Sequence, residues 1–493
     1  MKNVLKGILG LVAALTAILL FNAYNLDGVR PLGSPAKLMN INIQKAVDRL
    51  SGGVNIPTIS QMNSAKIDYT QFLDFNRYLR REFPKVFNTL ESYTINKHSL
   101  ILKWSGAQPL KKPILLMAHM DVVPIDEQSL DQWTFPPFSG TADEEIIWGR
   151  GTMDDKGSLF AIMESVDQLI ANGHQPAQTI YIAFGHDEEI GGNEGAKKSA
   201  EYFRKNGIDF DFILDEGGGI TSGKSFGIEK AVAFVAVSEK GYMTLELVAK
   251  GTGGHSSMPG KETTIGILAN AITKLQENPL PARLGGATKH MFKAIGAEMK
   301  LLPRIIMGNQ WLFEGLIERI FSSSPAGSAV IRTTTAPTII SGGIKDNVIP
   351  AQAMAMVNFR IIPGDTPESI VDMVREIVDD PRVEIKHPEG QFGRKPAPIS
   401  DPTSDQFKFL SRNIYDVFPS AVVVPGISPG GTDTKHFLDL SPNIYRFSGI
   451  GRTDDSDLKR VHGIDERIGI KAYEKGIQFY IHLIESLGQN QKL

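Results

Sequence analysis

Three short, mostly apolar runs, each leading into acidic or histidine residues, restrict this chain more than any other feature. Ile114-Leu115-Leu116-Met117-Ala118 leads into His119-Met120-Asp121, and Thr179-Ile180-Tyr181-Ile182-Ala183-Phe184 into His186-Asp187-Glu188-Glu189. Phe210-Asp211-Phe212-Ile213-Leu214 leads into Asp215-Glu216. Runs of this kind are what strands buried on both faces look like. Between them, Ser158 to Asn172 and Ala196 to Asn206 carry helical spacing. Strands alternating with helices predict an α/β fold, with a mostly parallel sheet flanked by helices. Ligands of such sheets bind outside the C-terminal ends of the strands, where these acidic residues gather.

After about residue 238 the pattern changes. The segments 241–248 and 353–360 alternate like half-exposed strands, with helical patterns over 265–275 and 309–321 between them. This predicts an inserted α+β domain over 238–365, dividing the first domain into 61–237 and 366–493. Residues 25–60 read as a Pro/Gly-containing linker. At the start, Lys2 and Lys6 precede an apolar run from Gly7 to Phe21, with no convincing small-residue cleavage site after it. The expectation is an N-terminal membrane helix over 1–24, an uncleaved signal-anchor with its charged end inside. A cleaved signal peptide is the runner-up. Either reading exports the remainder, to the periplasmic or extracellular side.

Charge and cysteine content narrow the chemistry. With 52 Lys+Arg against 55 Asp+Glu there is no sequence-wide field for nucleic acid. With no cysteine, disulfides, thiolate ligands and a Cys nucleophile are excluded, so any metal is held by His, Asp and Glu. His119 and Asp121, two apart in an extended segment, share a face. The Gly-flanked turn Gly149-Arg150-Gly151-Thr152-Met153-Asp154-Asp155-Lys156-Gly157 enters a helix, where a lone Asp is also an ordinary cap. The neighbouring carboxylates of 187–189 repel one another, which calls for a compensating cation or a raised pKa. His462 offers a second nitrogen. Two histidines, several carboxylates and no thiolate describe a carboxylate-bridged two-zinc hydrolase site.

These segments resemble the M20 metallopeptidase family. Leu116 to Pro124, Trp148 to Gly157 and Asp187-Glu188-Glu189 carry the likeness, which extends over roughly residues 65–485. Gly185 to Glu189, Leu214 to Gly218 and Val461-His462-Gly463 are similar to its carboxypeptidase S and secreted N-acyl-amino-acid hydrolase branch. The resemblance implies two zinc ions, with His119 and Glu216 on one, Glu189 and His462 on the other, and Asp154 bridging. Asp215 is the alternative to Glu216. It further implies that Asp121 orients His119 and Glu188 is the general base. The inserted domain would be a lid of the dimerisation type, bringing His255 to the oxyanion and Asn347 and Arg360 to the substrate. Gly431 and Thr432, in a later glycine loop, would meet the substrate carboxylate.

The implied activity is hydrolysis of an amide next to a free-carboxylate amino acid, as an N-acyl-amino-acid hydrolase or carboxypeptidase. A dipeptidase, or an inactive membrane-tethered binding protein, is the alternative. Within the inserted domain, residues 312, 316 and 320 form one i, i+4 row and 313, 317 and 321 another. They form either an internal core or dimer contact, or a face for a long acyl chain or the bilayer.

Overall fold

A computed structural model describes residues 1–26, 35–452 and 456–488. At its centre is a nine-stranded mixed sheet. Strand Ile114–His119 lies between Ile180–Gly185 and Ile213–Asp215, all three parallel. Every residue of the first two strands is buried, which is why their sequences do not alternate. Beyond this parallel centre, Ser99–Trp104 and Glu91–Ile95 continue one side antiparallel. The other side runs through Ile444–Arg446, Val232–Glu239 and Val422–Ser428. Helix Lys156–Ala171 is almost wholly interior; its Phe160 meets the rings of Phe75, Tyr78 and Phe83.

A second sheet has four antiparallel strands, in the order Thr334–Gly342, Gln352–Ile361, Gly241–Lys250 and Val383–Lys386. Helices Thr264–Glu277 and Pro367–Val378 contribute to its core. Gln352–Ile361 alternates buried with partly open positions, as its sequence pattern predicts.

Three boundaries differ from the sequence expectation. The smaller unit does not end at 365: Val383–Lys386 pairs with Gly241–Lys250, and Ile370, Val374 and Val378 fill the same core. The helices from Ala287 to Ile331 do not belong to it. Met291, Phe292, Ile295 and Ile317 instead cluster with Val232, Val422 and Val424 at the edge of the large sheet. Nor is 25–60 a linker. Part of it, 27–34, lies outside the described residues, but Ile43–Val54 is a helix whose Ala46, Val47, Leu50 and Val54 join the main core. Its 3–4 spacing is obscured by Gly52-Gly53 and nearby Asn and Pro residues. The backbone N–H of Ala36 already donates to Asp416 O at 2.7 Å.

Candidate metal centre

The parallel strands bring the acidic turns together. His119 ends its strand and faces the turn before helix Lys156–Ala171. His119 Nε2 lies 2.9 Å from Asp154 Oδ1 and 3.6 Å from Glu216 Oε1. On the other side, His462 Nε2 is 3.0 Å from both Asp154 Oδ2 and Glu189 Oε2. Two triads therefore form, His119–Asp154–Glu216 and Asp154–Glu189–His462, each with its ligand atoms within 4.8 Å of one another. Asp154 turns one oxygen to each. His462 holds φ 61, a left-handed conformation that a non-glycine residue rarely keeps without a local reason.

Asp121 is fully buried and organises the cluster from behind. It lies 3.3 Å from His119 Nδ1 and accepts from the backbone N–H of Glu188 and Glu189 at 3.1 Å each, and from Ser60 Oγ at 2.6 Å. One carboxylate thus orients the histidine and holds the turn carrying Glu188 and Glu189. Asp215 is buried beside the cluster, but neither triad includes it, whereas Glu216 enters one.

The electrostatics favour a cation. Burial, with the Asp154 and Asp155 charges, drives Glu216 well above the usual carboxylate range. Burial and the Asp154 charge push Glu189 up to about 6. Burial likewise raises Glu188 well above its ordinary value, and Asp433 adds to it. The His462 imidazole is pushed up to about 10 by its bonds to Asp154 and Glu189. Burial alone would lower His119, but bonding to Asp121 and Asp154 carries it well above its ordinary value. Glu189 Oε1 is buried with no hydrogen-bond partner. Crowded carboxylates that drift towards their protonated forms are what a divalent ion relieves. The His/carboxylate donor set fits two such ions.

The sequence reading missed two supports. Glu466 is fully buried and accepts at Oε1 from the backbone N–H of Gly151, Met153 and Asp154 at 3.0, 3.0 and 3.1 Å. Its Oε2 accepts from Arg150 at 2.6 Å. It thereby fixes the turn that presents Asp154. Its signal was the carboxylate in Asp465-Glu466, four residues after His462. The second is the buried group of Glu239 and Arg446. Glu239 Oε1 accepts from Arg446 Nε at 3.0 Å, and from Thr432 Oγ1 and backbone N–H at 2.6 and 2.8 Å. The Thr432 hydroxyl and backbone N–H are thus both bonded to an internal carboxylate. Gly431 is pressed against Arg394, where a Cβ would stand 2.6 Å from the guanidinium. Arg394 lies 3.7 Å from Glu239 and feels the charges of Arg360 and Glu188.

The remaining expected residues stand on the four-stranded unit and a short two-stranded pairing. His255 is exposed, its Nδ1 3.2 Å from the Ser257 backbone N–H and 2.8 Å from Ser257 Oγ. Its strand, Gly254–His255, pairs with Val348–Ile349, and the Asn347 carbonyl accepts from the Ser256 backbone N–H at 3.2 Å. The Arg360 guanidinium lies 4.8 Å from the centre of the Tyr242 ring. None of these contacts reaches either triad.

A mixed sheet flanked by helices, with two His/carboxylate triads sharing one aspartate at its strand ends and adjoining turns, is the arrangement of a metallohydrolase that could hold two ions. Known proteins agree with that class: the pattern of peptidase family M20/M25/M40 matches residues 115–486, and the chain belongs to this family. Probable carboxypeptidase S-like 2 of Dictyostelium discoideum is 45% identical over 89% of this chain and 84% of its own. The N-fatty-acyl-amino acid synthase/hydrolase PM20D1 of Xenopus tropicalis is 39% identical over 97% of this chain and 94% of its own. Among solved structures, an M20 family metallo-carboxypeptidase from Sulfolobus solfataricus has the same fold, with a TM-score of 0.62 at 20% identity. That match covers 89% of this chain and 98% of the other. The chain is a metallohydrolase of the M20 family, with carboxypeptidase and N-fatty-acyl-amino acid hydrolase relatives.

Proposed function

We propose that this enzyme hydrolyses the amide bond of N-acyl amino acids bearing a free α-carboxylate, with long acyl chains among its substrates. The observation that carries the reading is Asp154 shared between the two triads, with Glu188 on a neighbouring turn close enough to feel the charge of Arg394. A bidentate guanidinium suits a carboxylate. The names of the carboxypeptidase S-like and N-fatty-acyl-amino acid hydrolase relatives support the substrate class.

In this reading His119 and Glu216 would hold one zinc, Glu189 and His462 the other, with Asp154 available to both. Zinc suits imidazole and carboxylate donors, and when bound it supplies Lewis acidity to the amide carbonyl and the attacking water. Glu188 takes the proton from that water as the new C–O bond forms. It passes the proton to the nitrogen as the C–N bond breaks, releasing a fatty acid and an amino acid. His255 donates to the carbonyl oxygen as negative charge builds on it. Asp121 acts through His119. Arg360, Asn347 and the Gly431 loop hold the carboxylate side.

The N-terminal helix acts here as an uncleaved anchor, with the enzyme on the periplasmic or extracellular face. Support comes from Ala23, buried in the last turn of that helix with its carbonyl accepting from Arg304 Nε at 2.7 Å, a seat that removal of the helix would discard. A second copy is a further partner. The edge strand Thr334–Gly342 leaves Ile339 and Ile340 in the open, the kind of strand edge that pairs between subunits.

The deciding experiment measures kcat/KM on one amino acid acylated from acetyl to oleoyl, beside short peptides, with metal content determined. Values rising with acyl length support the proposal. A flat or falling series, or faster peptide cleavage, would leave a carboxypeptidase or dipeptidase. Bound metal without any hydrolysis would point to the inactive binding protein.

A further inference from the structure

The helix Lys2–Tyr24 is exposed until its last turn, where Ala23 is buried. That turn is seated on helix Leu301–Gly308 and the residue after it. Asn22 Nδ2 donates to Asn309 Oδ1 at 2.8 Å, Asn309 Nδ2 donates to Leu19 O at 3.0 Å, and Arg304 Nε donates to Ala23 O at 2.7 Å. Gly308 permits the approach, since a Cβ there would lie 3.1 Å from Asn22 O.

The next helix, Gln310–Ser322, divides its two apolar rows. Phe313, Ile317 and Phe321 turn inward to the cluster at the edge of the large sheet. Leu312, Leu316 and Ile320 stay 44%, 42% and 47% exposed, with Trp311 at 63% and Leu302 at 71% beside them. Internal packing accounts for the first row and leaves the second exposed among the described residues.

We propose that this second row, with Trp311 and Leu302, is a membrane-docking face that enters the interfacial layer of the bilayer beside the anchor. The inference rests on reading the N-terminal helix as that anchor. Length carries it further. The run Gly7–Phe21 spans roughly 22 Å at a helical rise of 1.5 Å per residue, against about 30 Å of hydrocarbon. To cross, the helix must sink as far as its last turn. That turn is bonded to Asn309 and Arg304, so sinking carries the start of Gln310–Ser322 down to the headgroups. An indole is favoured at that depth. Asn22 and Asn309 bond each other, so neither amide side chain enters the layer unpaired. An exposed apolar row on a helix covalently continuous with the anchor's seat is where a bilayer surface would meet the enzyme.

The absence of cysteine makes the test direct, because one introduced thiol takes one label. Leu316→Cys, Leu302→Cys, Leu9→Cys in the anchor, and Leu110→Cys on an exposed turn at the other half of the sheet are each labelled with an environment-sensitive dye. The full-length variants, checked for retained hydrolysis, are placed in phosphatidylcholine nanodiscs with lipids brominated near the headgroup or deep in the chain. The expected result is loss of emission at 316 and 302 with shallow bromines, at 9 with deep ones, and none at 110. Quenching at 9 with none at 316 and 302 would overturn the docking face and leave the anchor standing. No quenching at 9, 302 or 316 would defeat the anchor reading and the docking face together. A label at 316 that is shielded from water yet untouched by every brominated lipid would assign the row to a second copy, against the proposal.

Discussion

The two ends of the proposed active site are built differently. At the strand ends two buried carboxylates brace the cluster from behind: Asp121 alone fixes a histidine and two backbone amides, and Glu466 holds three more beneath Asp154. On and beside the four-stranded unit, the exposed His255 side chain bonds Ser257 of its own loop, and Arg360 rests on the Tyr242 ring. Metal donors tolerate little displacement, and here His119, Glu189 and Glu216 lie at the ends of buried parallel strands while Asp154 is held by a turn fixed from beneath. The groups proposed to meet the substrate stand on or beside a separate unit with its own core.

Glu188→Gln tests the braced end hardest. Hydrolysis should fall by about 10²–10⁴-fold with metal content retained; near-normal turnover in the metal-replete variant would remove Glu188 from its role. His255→Ala probes the other end. If the smaller unit supplies an oxyanion donor, kcat falls by roughly 10²–10³-fold, with melting temperature and metal content unchanged because the side chain is exposed. An unaltered kcat would reduce the contrast to one of architecture.

Glu466→Gln keeps the shape but weakens the bonds beneath Asp154. Metal affinity measured by competition with a chelator should drop about 10–100-fold, while an equal affinity would mean the turn holds itself. Between the two ends, burial pushes the His436 imidazole down to about 4, against its bond to the Gly191 carbonyl at 2.9 Å. The unfolded chain therefore binds a proton that the folded one refuses between its ordinary value near 6.5 and about 4. This contribution to stability is intact above that window and lost as pH falls through it. His436→Gln should flatten that part of the acid-unfolding curve, and an unchanged curve would place the acid sensitivity elsewhere. The smallest effect is expected far from both ends: Leu316→Ser should change stability in water by no more than about 0.5 kcal/mol, read from urea unfolding.

Much of the metal centre was legible because its signals are local. His119 and Asp121 share a face by strand geometry, and the acidic turns follow their strands directly in the text. Glu466 was not legible, since it meets Asp154 from 312 residues away through a turn with no periodicity of its own. Thr432 stands in a loop that reads as a ligand cradle, yet its hydroxyl points at Glu239, a carboxylate buried on the large sheet. The helix Ile43–Val54 was hidden by its glycines, although its buried residues keep regular spacing.

Sequence alone determined that buried strands would deliver histidine and carboxylates to one sheet edge, because strand burial and side-chain alternation depend on near neighbours. It also marked two apolar rows between Leu312 and Phe321. Only the tertiary structure decided that Phe313, Ile317 and Phe321 close the edge of the large sheet while Leu312, Leu316 and Ile320 remain open beside the N-terminal helix. Helical periodicity says which residues share a face, but the partner of that face depends on contacts made hundreds of residues away along the chain.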